Sequence, residues 1–302
     1  MLPIIRWRKI WFAFSGFLIT ASLTMLIAWG LKMGTDFTGG SLLEYEYQDS
    51  APDIAAIRSR ISELGFEGVN VQPYGDKGAL VRAPELKESD HQKLLQAFED
   101  KGEEKRFESI GPTIGQELRR TTLYATILVV TFILLYVSWA FRKVTRFGKI
   151  NAWVYGAATV IALFHDIIIL TGAFVLIGRY SGAEIDTSFV AALLTTLGYS
   201  VNDTIVVFDR IRENLLKSSA GENFERIAEK SVNETLARSF STSFTAILTL
   251  TAVFLFGGET IHYFVLALII GITAGTYSSI FLASPLLVWW EGKEQLKVKS
   301  EK

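Results

Sequence analysis

The 302-residue sequence contains no cysteine and only three histidines, His91, His165 and His262. Without cysteine the chain has no disulfide framework, no thiolate nucleophile and no cysteine-based metal site. The histidines are too few and too scattered in sequence to indicate a metal-ligand cluster. We therefore predict neither a metal site nor a cofactor, and we expect any domain outside the cytoplasm to be held together by packing alone.

Charged residues are missing from long stretches of the chain, and this composition is typical of a membrane protein. Half of the residues are hydrophobic and the mean hydropathy is +0.31. A helix needs about 20 mostly apolar residues to cross a bilayer. Six segments satisfy this, and we number them as spans one to six: Ile10–Leu31, Thr121–Phe141, Ile150–Gly178, Thr187–Phe208, Ser239–Gly258 and Ile261–Trp290. The apolar run of span one is too long for a signal-peptide core and no Ala-x-Ala site follows it, which predicts a retained anchor.

The lysines and arginines of the short connections predict the orientation of the spans. Basic residues cluster before span one, between spans two and three, between spans four and five, and after span six. Between spans three and four there is only Arg179, and between spans five and six there is no basic residue. Because basic loops stay in the cytoplasm, we predict that both termini are cytoplasmic.

One large hydrophilic segment, from Thr35 to Arg119, lies between spans one and two. It contains 17 Asp and Glu against 10 Lys and Arg, which fits the side away from the cytoplasm. Its patterns of alternation, helical spacing and turn residues predict, in order, these elements: strand Ser41–Gln48, helix Asp53–Leu64, strands Val69–Tyr74 and Ala79–Ala83, a helix capped by Ser89 and stopped by Gly102, and strand Lys105–Ile110. The β-α-β-β-α-β order is typical of a ferredoxin-like fold.

The predicted fold class is an α-helical membrane protein with six transmembrane helices and an α+β ferredoxin-like extracytoplasmic domain. We place the N-terminus and first helix at 1–33, the extracytoplasmic domain at 34–119, the five-helix region at 120–291 and a cytoplasmic tail at 292–302. Glycines flank the domain at both ends, and we expect these two connections to let it move.

Asp203 is an acidic residue within span four, about 9 Å inside the boundary set by Asp209 at 1.5 Å per residue. A charge inside a membrane is unfavourable, so an ionisable residue there is a functional candidate by default. One interpretation is a carboxylate that takes up and releases protons. The other is a structural hydrogen-bond acceptor between helices.

Arg238 stands at the start of span five, and Thr242, Thr245 and Thr249 follow it on the same helix face. We expect this face to meet protein or water, because a lipid-facing face would be uncharged. Span four runs toward the cytoplasm and span five runs away from it. Asp203 and Arg238 therefore lie in the same half of the bilayer and could pair. The alternative is that Arg238 is an ordinary arginine reaching to the interface from a helix end.

His165 and Asp166 are adjacent in the middle of span three. They could belong to a proton relay, or they could be a polar pair that packs span three against its neighbours. His262 lies near the outer end of span six, and we interpret it as interfacial.

Small residues at a spacing of three or four predict close helix contacts in span six (Gly271, Gly275, Ser279) and span four (Ala191, Thr195, Gly198, Asn202). The loop between spans four and five contains an amphipathic pattern at 223–236. This segment could lie on the cytoplasmic membrane surface or pack on the bundle as a short helix.

Several of these residues resemble the motifs of a known family. The sequence Gly34-Thr35-Asp36-Phe37-Thr38-Gly39-Gly40 is similar to the Gly-x-Asp-Phe-x-Gly-Gly signature of the SecD/SecF family of protein-export membrane proteins. The segments 191–195 and 198–214 resemble the fourth-helix signature of its SecF members nearly throughout. Ala237-Arg238-Ser239 with Thr242-Ser243 resembles the fifth-helix motif, although Ser239 stands where the family usually has threonine, and His165-Asp166 fits the third-helix motif.

The resemblance implies an RND-like six-helix half that pairs with a SecD-like subunit in the bacterial inner membrane. It implies further partners in the SecYEG channel, the SecA motor and an unfolded preprotein, with no nucleic acid and no enzymatic activity. It also implies that the proton pathway uses Asp203 and Arg238. Around them we expect a supporting polar network of Asn202, Thr204, Thr242, Thr245, His165 and Asp166. We expect Gly34, Asp36, Phe37, Gly39 and Gly40 to form a hinge motif.

The hypothesis is that proton flow drives late steps of protein export. A proton-driven RND-type transporter of small molecules or lipids is the alternative, and a structural scaffold is another. An intramembrane protease is excluded by motif, because the spans contain no paired catalytic aspartates, Ser/His dyad or His-Glu-x-x-His sequence.

Overall fold

The computed structural model describes residues 1–48, 52–98, 102–142, 151–218 and 222–291. Its elements along the chain are α1 (Arg8–Trp29), α2 (Thr35–Thr38), β1 (Gly40–Tyr47), α3 (Ile54–Glu63), β2 (Asn70–Tyr74), β3 (Gly78–Ala83), α4 (Glu88–Leu95), β4 (Gly102–Ile110), α5 (Pro112–Ala140), α6 (Ala152–Ser181), α7 (Thr187–Lys217), α8 (Phe224–Phe256) and α9 (His262–Ser278). A π-helical turn, Ser279–Ala283, continues α9 toward Glu291. Within the described ranges, six helices are long and apolar enough to cross a membrane, which confirms the predicted spans.

The chain divides into two compact units. The helical unit comprises Met1–Lys32, Ala125–Ala183 and the described part of Ser188–Lys302. The α+β unit comprises Met33–Tyr124 and the short segment Glu184–Thr187. The α+β unit therefore includes the first residue of α7 as well as the first part of α5.

The sheet of the α+β unit is antiparallel, with the strand order β2-β3-β1-β4. Two helices, α3 and α4, fall between β1 and β2 and between β3 and β4. This sheet order and these crossovers are those of a split β-α-β arrangement, which confirms the ferredoxin-like prediction.

The core of this unit lies between one face of the sheet and both helices. Alternate residues of each strand point to the same face, and here they meet the apolar faces of α3 and α4. The buried cluster is Leu43, Tyr45, Val71, Ala79 and Val81 from the strands with Ile57, Ile61, Leu94, Ala97 and Phe98 from the helical segments. Two-residue and helical periodicity in the sequence therefore identified the correct faces.

Two local predictions need correction. Ser89 does not cap α4, because the helix begins at Glu88 after Lys87, which makes no side-chain capping bond. The amphipathic segment 223–236 and span five are not separate helices, since α8 is one continuous helix from Phe224 to Phe256. Neither glycine nor proline interrupts this stretch, so nothing in the chain stops the helix.

The first half of α8 packs within the helical unit. Its predicted amphipathic face is buried, and Asn223 caps it by accepting a hydrogen bond from the Glu225 amide at 2.9 Å. The buried side chains of this face are Phe224, Ile227, Ala228 and Val232. This arrangement corresponds to the packed-helix alternative. The basic residues Lys143, Arg146 and Lys149 and the tail 292–302, which entered the orientation prediction, lie outside the described residues.

Helices of the helical unit approach closely where one of them carries a glycine. A Cβ atom on Gly172 of α6 would lie 2.3 Å from the Ser22 Cβ of α1. On α9, a Cβ on Gly271 would lie 2.5 Å from the Thr196 side chain of α7. Because carbon atoms cannot approach so closely, these contacts exist only because glycine has no side chain.

The small-residue prediction is confirmed for α9 and wrong for α7 within this chain. Gly275 faces Ser200 of α7 in the same way as Gly271 faces Thr196, and Ser279 continues the row. On α7, however, the predicted face is largely exposed at Ala191, Thr195, Gly198 and Asn202. The face that packs is one position further on, since Ala192, Thr196 and Ser200 are the buried residues.

Candidate functional site

Asp203 lies on the packed face of α7 and is only 7% exposed. Its carboxylate accepts a hydrogen bond from the Ser279 hydroxyl, at the start of the π-helical turn. No lysine or arginine among the described residues forms an ion pair with it. Asp203 is thus a buried acid held by a neutral donor, although a buried charge is normally paired.

A second buried acid, Asp166 on α6, joins three helices. It accepts hydrogen bonds from Ser200 of α7 at 2.6 Å and from Ser278 at the end of α9 at 2.9 Å. Its other oxygen lies 3.0 Å from Nδ1 of His165, whose ring is also buried. The pair His165–Asp166 is therefore at least a packing element between α6, α7 and α9, and its role in a relay stays a prediction.

Arg238 lies on an exposed face of α8 together with Thr242, Thr245 and Thr249. The three threonine hydroxyls donate to carbonyls of their own helix, at 2.9 to 3.0 Å. The Arg238 side chain has no ion-pair partner in the described ranges. This face is the predicted polar one, and no helix in the described part of the chain covers these four side chains.

Asp203 and Arg238 are not paired, yet they lie at the same level of two antiparallel helices. Hydrogen bonds join α7 to α8 between Tyr199 and Ser243 at 3.1 Å and between Arg210 and Glu234 at 2.6 Å. In this register the residue of α8 that is level with Asp203 lies about two positions from Arg238, or about 3 Å along the axis. The two groups therefore differ in the direction they face rather than in depth.

Hydroxyl groups connect Asp203 to α8. Ser279 is within 3.0 Å of the Thr276 carbonyl, and the Thr276 hydroxyl donates to Ser243 of α8 at 2.6 Å. One turn before Ser243, the Ser239 hydroxyl is buried without a hydrogen-bond partner among the described residues. Ser239 and Ser243 point about 100° around α8 from the Arg238 face. The polar contacts of Asp203 thus extend to Ser243 of α8 and do not include Arg238 among the described residues.

The remaining predicted network residues divide into two groups. Thr204 is buried, and its hydroxyl donates to the Ser200 carbonyl at 2.9 Å within α7. Asn202, like Thr242 and Thr245, is exposed. Sequence analysis missed Ser200 and Ser278 as hydrogen-bond donors. For Ser278 there was a usable signal, because it is adjacent to Ser279 in an apolar span.

The Gly34–Gly40 motif forms a compact junction in the α+β unit. Asp36 accepts hydrogen bonds from the Thr187 amide at 2.8 Å and from its hydroxyl, and it therefore caps the beginning of α7. The Gly34 amide donates to the Ile185 carbonyl at 2.8 Å, and Phe37 is buried. The motif thus fixes the segment that leads directly into the helix of Asp203.

Glycine is required at two positions of this junction. Gly39 and Gly40 have φ angles of 74° and 125°, which other residues rarely adopt. A Cβ on Gly39 would lie 2.8 Å from Pro112, and one on Gly40 would lie 2.8 Å from the Ala83 carbonyl. The hinge role of the motif stays a prediction, and its close contacts indicate a fixed point of the chain.

An ion pair that sequence analysis missed supports the same segment. Arg82 of β3 lies with its Nε 3.0 Å from the carboxylate of Glu184, and both side chains are largely buried. The contact is electrostatic, since its geometry is not that of a hydrogen bond. The two residues of this ion pair are about a hundred positions apart in the sequence, so no local sequence pattern predicts the pair.

Similarity to known proteins identifies the family of this chain. The family model described as "Protein export membrane protein SecD/SecF, C-terminal" matches residues 90–293. The chain belongs to the SecD/SecF family. The model of the SecD/SecF GG motif matches residues 30–51, which include the junction around Asp36.

The relatives of this SecD/SecF-family chain are SecF proteins of nearly the same length. It is 42% identical to the protein translocase subunit SecF of Thermobaculum terrenum, over 99% of this chain and 96% of that protein. It is 38% identical to SecF of Desulfurispirillum indicum, over 96% and 91% respectively. Together with the six apolar helices, these relatives identify a multi-pass membrane protein.

A solved structure supports the same fold. The chain is similar to SecDF of Thermus thermophilus, a translocon-associated membrane protein, with a TM-score of 0.82 and 32% identity. The similarity covers 95% of this chain but only 38% of the SecDF chain. This chain therefore spans about two fifths of that longer protein.

Proposed function

We propose that this protein is the SecF-type subunit of a Sec translocase accessory complex in the bacterial inner membrane. In this proposal it pairs with a SecD-like subunit, works with the SecYEG channel and the SecA motor, and couples proton flow to late export of an unfolded preprotein. The observation that supports it best is the buried Asp203, held by a neutral hydroxyl at the level of the exposed Arg238.

The need for a partner follows from the exposed polar faces. At the centre of a transmembrane helix an arginine is unfavourable by about 2.5–3.5 kcal/mol on insertion scales, and this value is an upper limit for Arg238 at the start of span five. The exposed face of Arg238 and the exposed small face of α7, including Gly198 and Asn202, are both suited to another transmembrane subunit. A SecD-like subunit corresponds to the part of the SecDF chain that this protein does not cover.

Proton coupling requires two states of Asp203. When it is ionised, a rearrangement of Arg238 toward it would compensate the buried charge. When it is protonated, it needs no cation and Arg238 is released. A charge that crosses a potential of 100 mV gains about 2.3 kcal/mol, which biases a two-state element by roughly 50-fold.

Transmission to the α+β unit is proposed to follow the covalent connections. The hydrogen bond from the Thr187 amide to Asp36 supports this route, because α7 runs without interruption from Thr187 to Asp203. A change in α7 would therefore reach the Gly34–Gly40 junction directly, and Gly111–Gly115 provides the other connection.

The test is export in proteoliposomes that contain the complete complex, with Asp203→Asn. We expect this variant to assemble and to lose the share of export that a proton gradient stimulates. Asp209→Asn is the matched control, because it removes the same charge from an exposed position of α7 and leaves Asp203 in place. Full stimulation with Asp203→Asn would refute the proton role.

Two further outcomes separate the alternatives. Proton flux that a small molecule or lipid stimulates without preprotein would support the transporter instead. Unchanged export after neutralising both Asp203 and Arg238 would support a scaffold. Purification of the native complex tests the partner, since a SecD-like subunit should be recovered with the chain.

A further inference from the structure

Two adjacent serines at the end of α9 each bind a different buried acid. Ser278 donates to Asp166 of α6 at 2.9 Å, and Ser279 donates to Asp203 of α7. Both serines are 0% exposed. Successive residues of a helix point about 100° apart, so one dipeptide can serve acids on two neighbouring helices.

The backbone at these serines is unusual. A π-helical turn covers Ser279–Ala283, and the Ser284 hydroxyl donates to the Ser279 carbonyl at 3.1 Å. Such turns are rare and occur often at functional sites. Here the turn begins at the residue that binds Asp203, and Ser284 satisfies a carbonyl within it.

Each of the two hydroxyls has one hydrogen and two acceptors within reach. Ser279 can donate to Asp203 or to the Thr276 carbonyl at 3.0 Å. Ser278 can donate to Asp166 at 2.9 Å or to the Gly275 carbonyl at 3.1 Å. Because a hydroxyl has a single hydrogen, only one bond of each pair forms at a time.

The protonation state of the acid selects between the two bonds. An ionised carboxylate only accepts, so Ser279 must then donate to Asp203. When a proton binds Asp203, the new O–H can donate to the Ser279 oxygen, and the Ser279 hydrogen turns to the Thr276 carbonyl. The proton stays on the acid and no other covalent bond forms or breaks.

We propose that Ser279 is a positioning residue for proton uptake at Asp203, and that its hydroxyl reverses direction when Asp203 changes charge. Ser278 stands in the same relation to Asp166. The inference rests on the proposed function, because it assumes that Asp203 takes up protons.

The helices of this unit carry other ionisable groups, and none of them has a contact with Asp203 among the described residues. The packed helices contribute His165 and Asp166 from α6, Tyr199 from α7, Tyr277 from α9 and the exposed Arg238 from α8. No described residue forms an ion pair with Asp203. The Ser279 hydroxyl is therefore the group in direct contact whose loss should change how readily the acid ionises.

The test is infrared difference spectroscopy of the reconstituted complex during a pH titration. The band of a protonated carboxyl that disappears in Asp203→Asn belongs to Asp203. In Ser279→Ala we expect this band to move to higher frequency, because the protonated carboxyl group has lost the Ser279 oxygen as its hydrogen-bond acceptor. Ser279→Cys is close in size but forms a weaker hydrogen bond, and it should shift the band in the same direction.

Thr273→Ala is the matched control. It removes an exposed hydroxyl of α9 that donates to the Ile269 carbonyl at 2.7 Å, so the Asp203 band should stay unchanged. A wild-type band frequency in Ser279→Ala, or in Ser279→Cys when the alanine variant fails to assemble, would overturn the role of Ser279. If wild-type protein has no band that Asp203→Asn removes, the proton-uptake proposal itself fails.

Discussion

Replacement of Asp166 by alanine tests whether the three-helix hydrogen-bond network stabilises the helical unit. The change removes the acceptor of Ser200, Ser278 and His165 at once. Ser278 can turn to the Gly275 carbonyl at 3.1 Å, so it keeps a partner. Ser200 and His165 Nδ1 are left as buried donors without an acceptor, and His165 Nε2 has none among the described residues to begin with.

The loss in free energy of unfolding expected for Asp166→Ala has a lower and an upper estimate. Hydrogen bonds between membrane helices average about 0.6 kcal/mol each, and if the bond to His165 on the same helix is counted at the same value, the three give a loss of about 2 kcal/mol. Two buried donors without partners lose about 1–3 kcal/mol each, which gives an upper value of about 6 kcal/mol. We expect Asp166→Ala to lower the free energy of unfolding by about 2–6 kcal/mol, and Asp166→Asn to lower it less, because its amide oxygen still accepts.

The measurement is reversible unfolding in mixed detergent micelles, followed by circular dichroism. Thr195→Ala is the control, because Thr195 is exposed on α7 and donates only to its own helix. Its effect should stay within about 0.5 kcal/mol. An Asp166→Ala variant that is as stable as the wild type, or more stable, would mean that dehydration of the carboxylate outweighs its bonds.

Three further outcomes can be measured in the same full-length chain. Gly275→Ala should lower the free energy of unfolding by about 1–3 kcal/mol, because its Cβ would lie 2.8 Å from the Ser200 Cβ, whereas Gly198→Ala has open space and should be neutral or stabilising. Asp53→Ala removes the acceptor of two amides at the start of α3 and should destabilise that helix by about 1 kcal/mol, seen as faster amide exchange. Burial raises the pKa of Glu44, so this carboxyl group ionises at a lower pH in the unfolded chain than in the folded one. The free energy of unfolding therefore falls as the pH rises from the unfolded-state pKa of Glu44 to its folded-state pKa. Glu44→Gln should therefore slow amide exchange in β1 at pH 7, and equal exchange rates would contradict this.

The periodicity of hydrophobic residues was sufficient to predict which helices and strands form, but it was insufficient to predict where all of them begin and end. Strand β1 and helix α3 were predicted within a residue or two, because alternation and helical spacing come from burial of one face. The segment 223–236 and span five were predicted as separate, whereas they form the single helix α8, since hydropathy marks where a membrane begins and not where a helix does. The cap at Ser89 was wrong because capping depends on backbone geometry that a short polar run does not define.

For the candidate site, the sequence identified the charges but not their surroundings. A lone acid and a lone arginine in apolar spans are visible from composition, because a buried charge is rare enough to be informative by itself. The direction that each one faces depends on how α7, α8 and α9 are rotated against each other. That rotation is set by glycine contacts such as Gly271 on Thr196, which involve residues far apart in the chain.

The sequence by itself determined six crossings, the ferredoxin-like order of the α+β unit and the identity of Asp203 as the acid to test. These properties follow from local hydropathy and spacing, which act over a few residues. Only the tertiary structure decided that Asp203 binds Ser279, that Asp166 unites three helices and that Asp36 caps the helix of Asp203. Such contacts depend on helix rotation and close approach, and no short stretch of sequence encodes either.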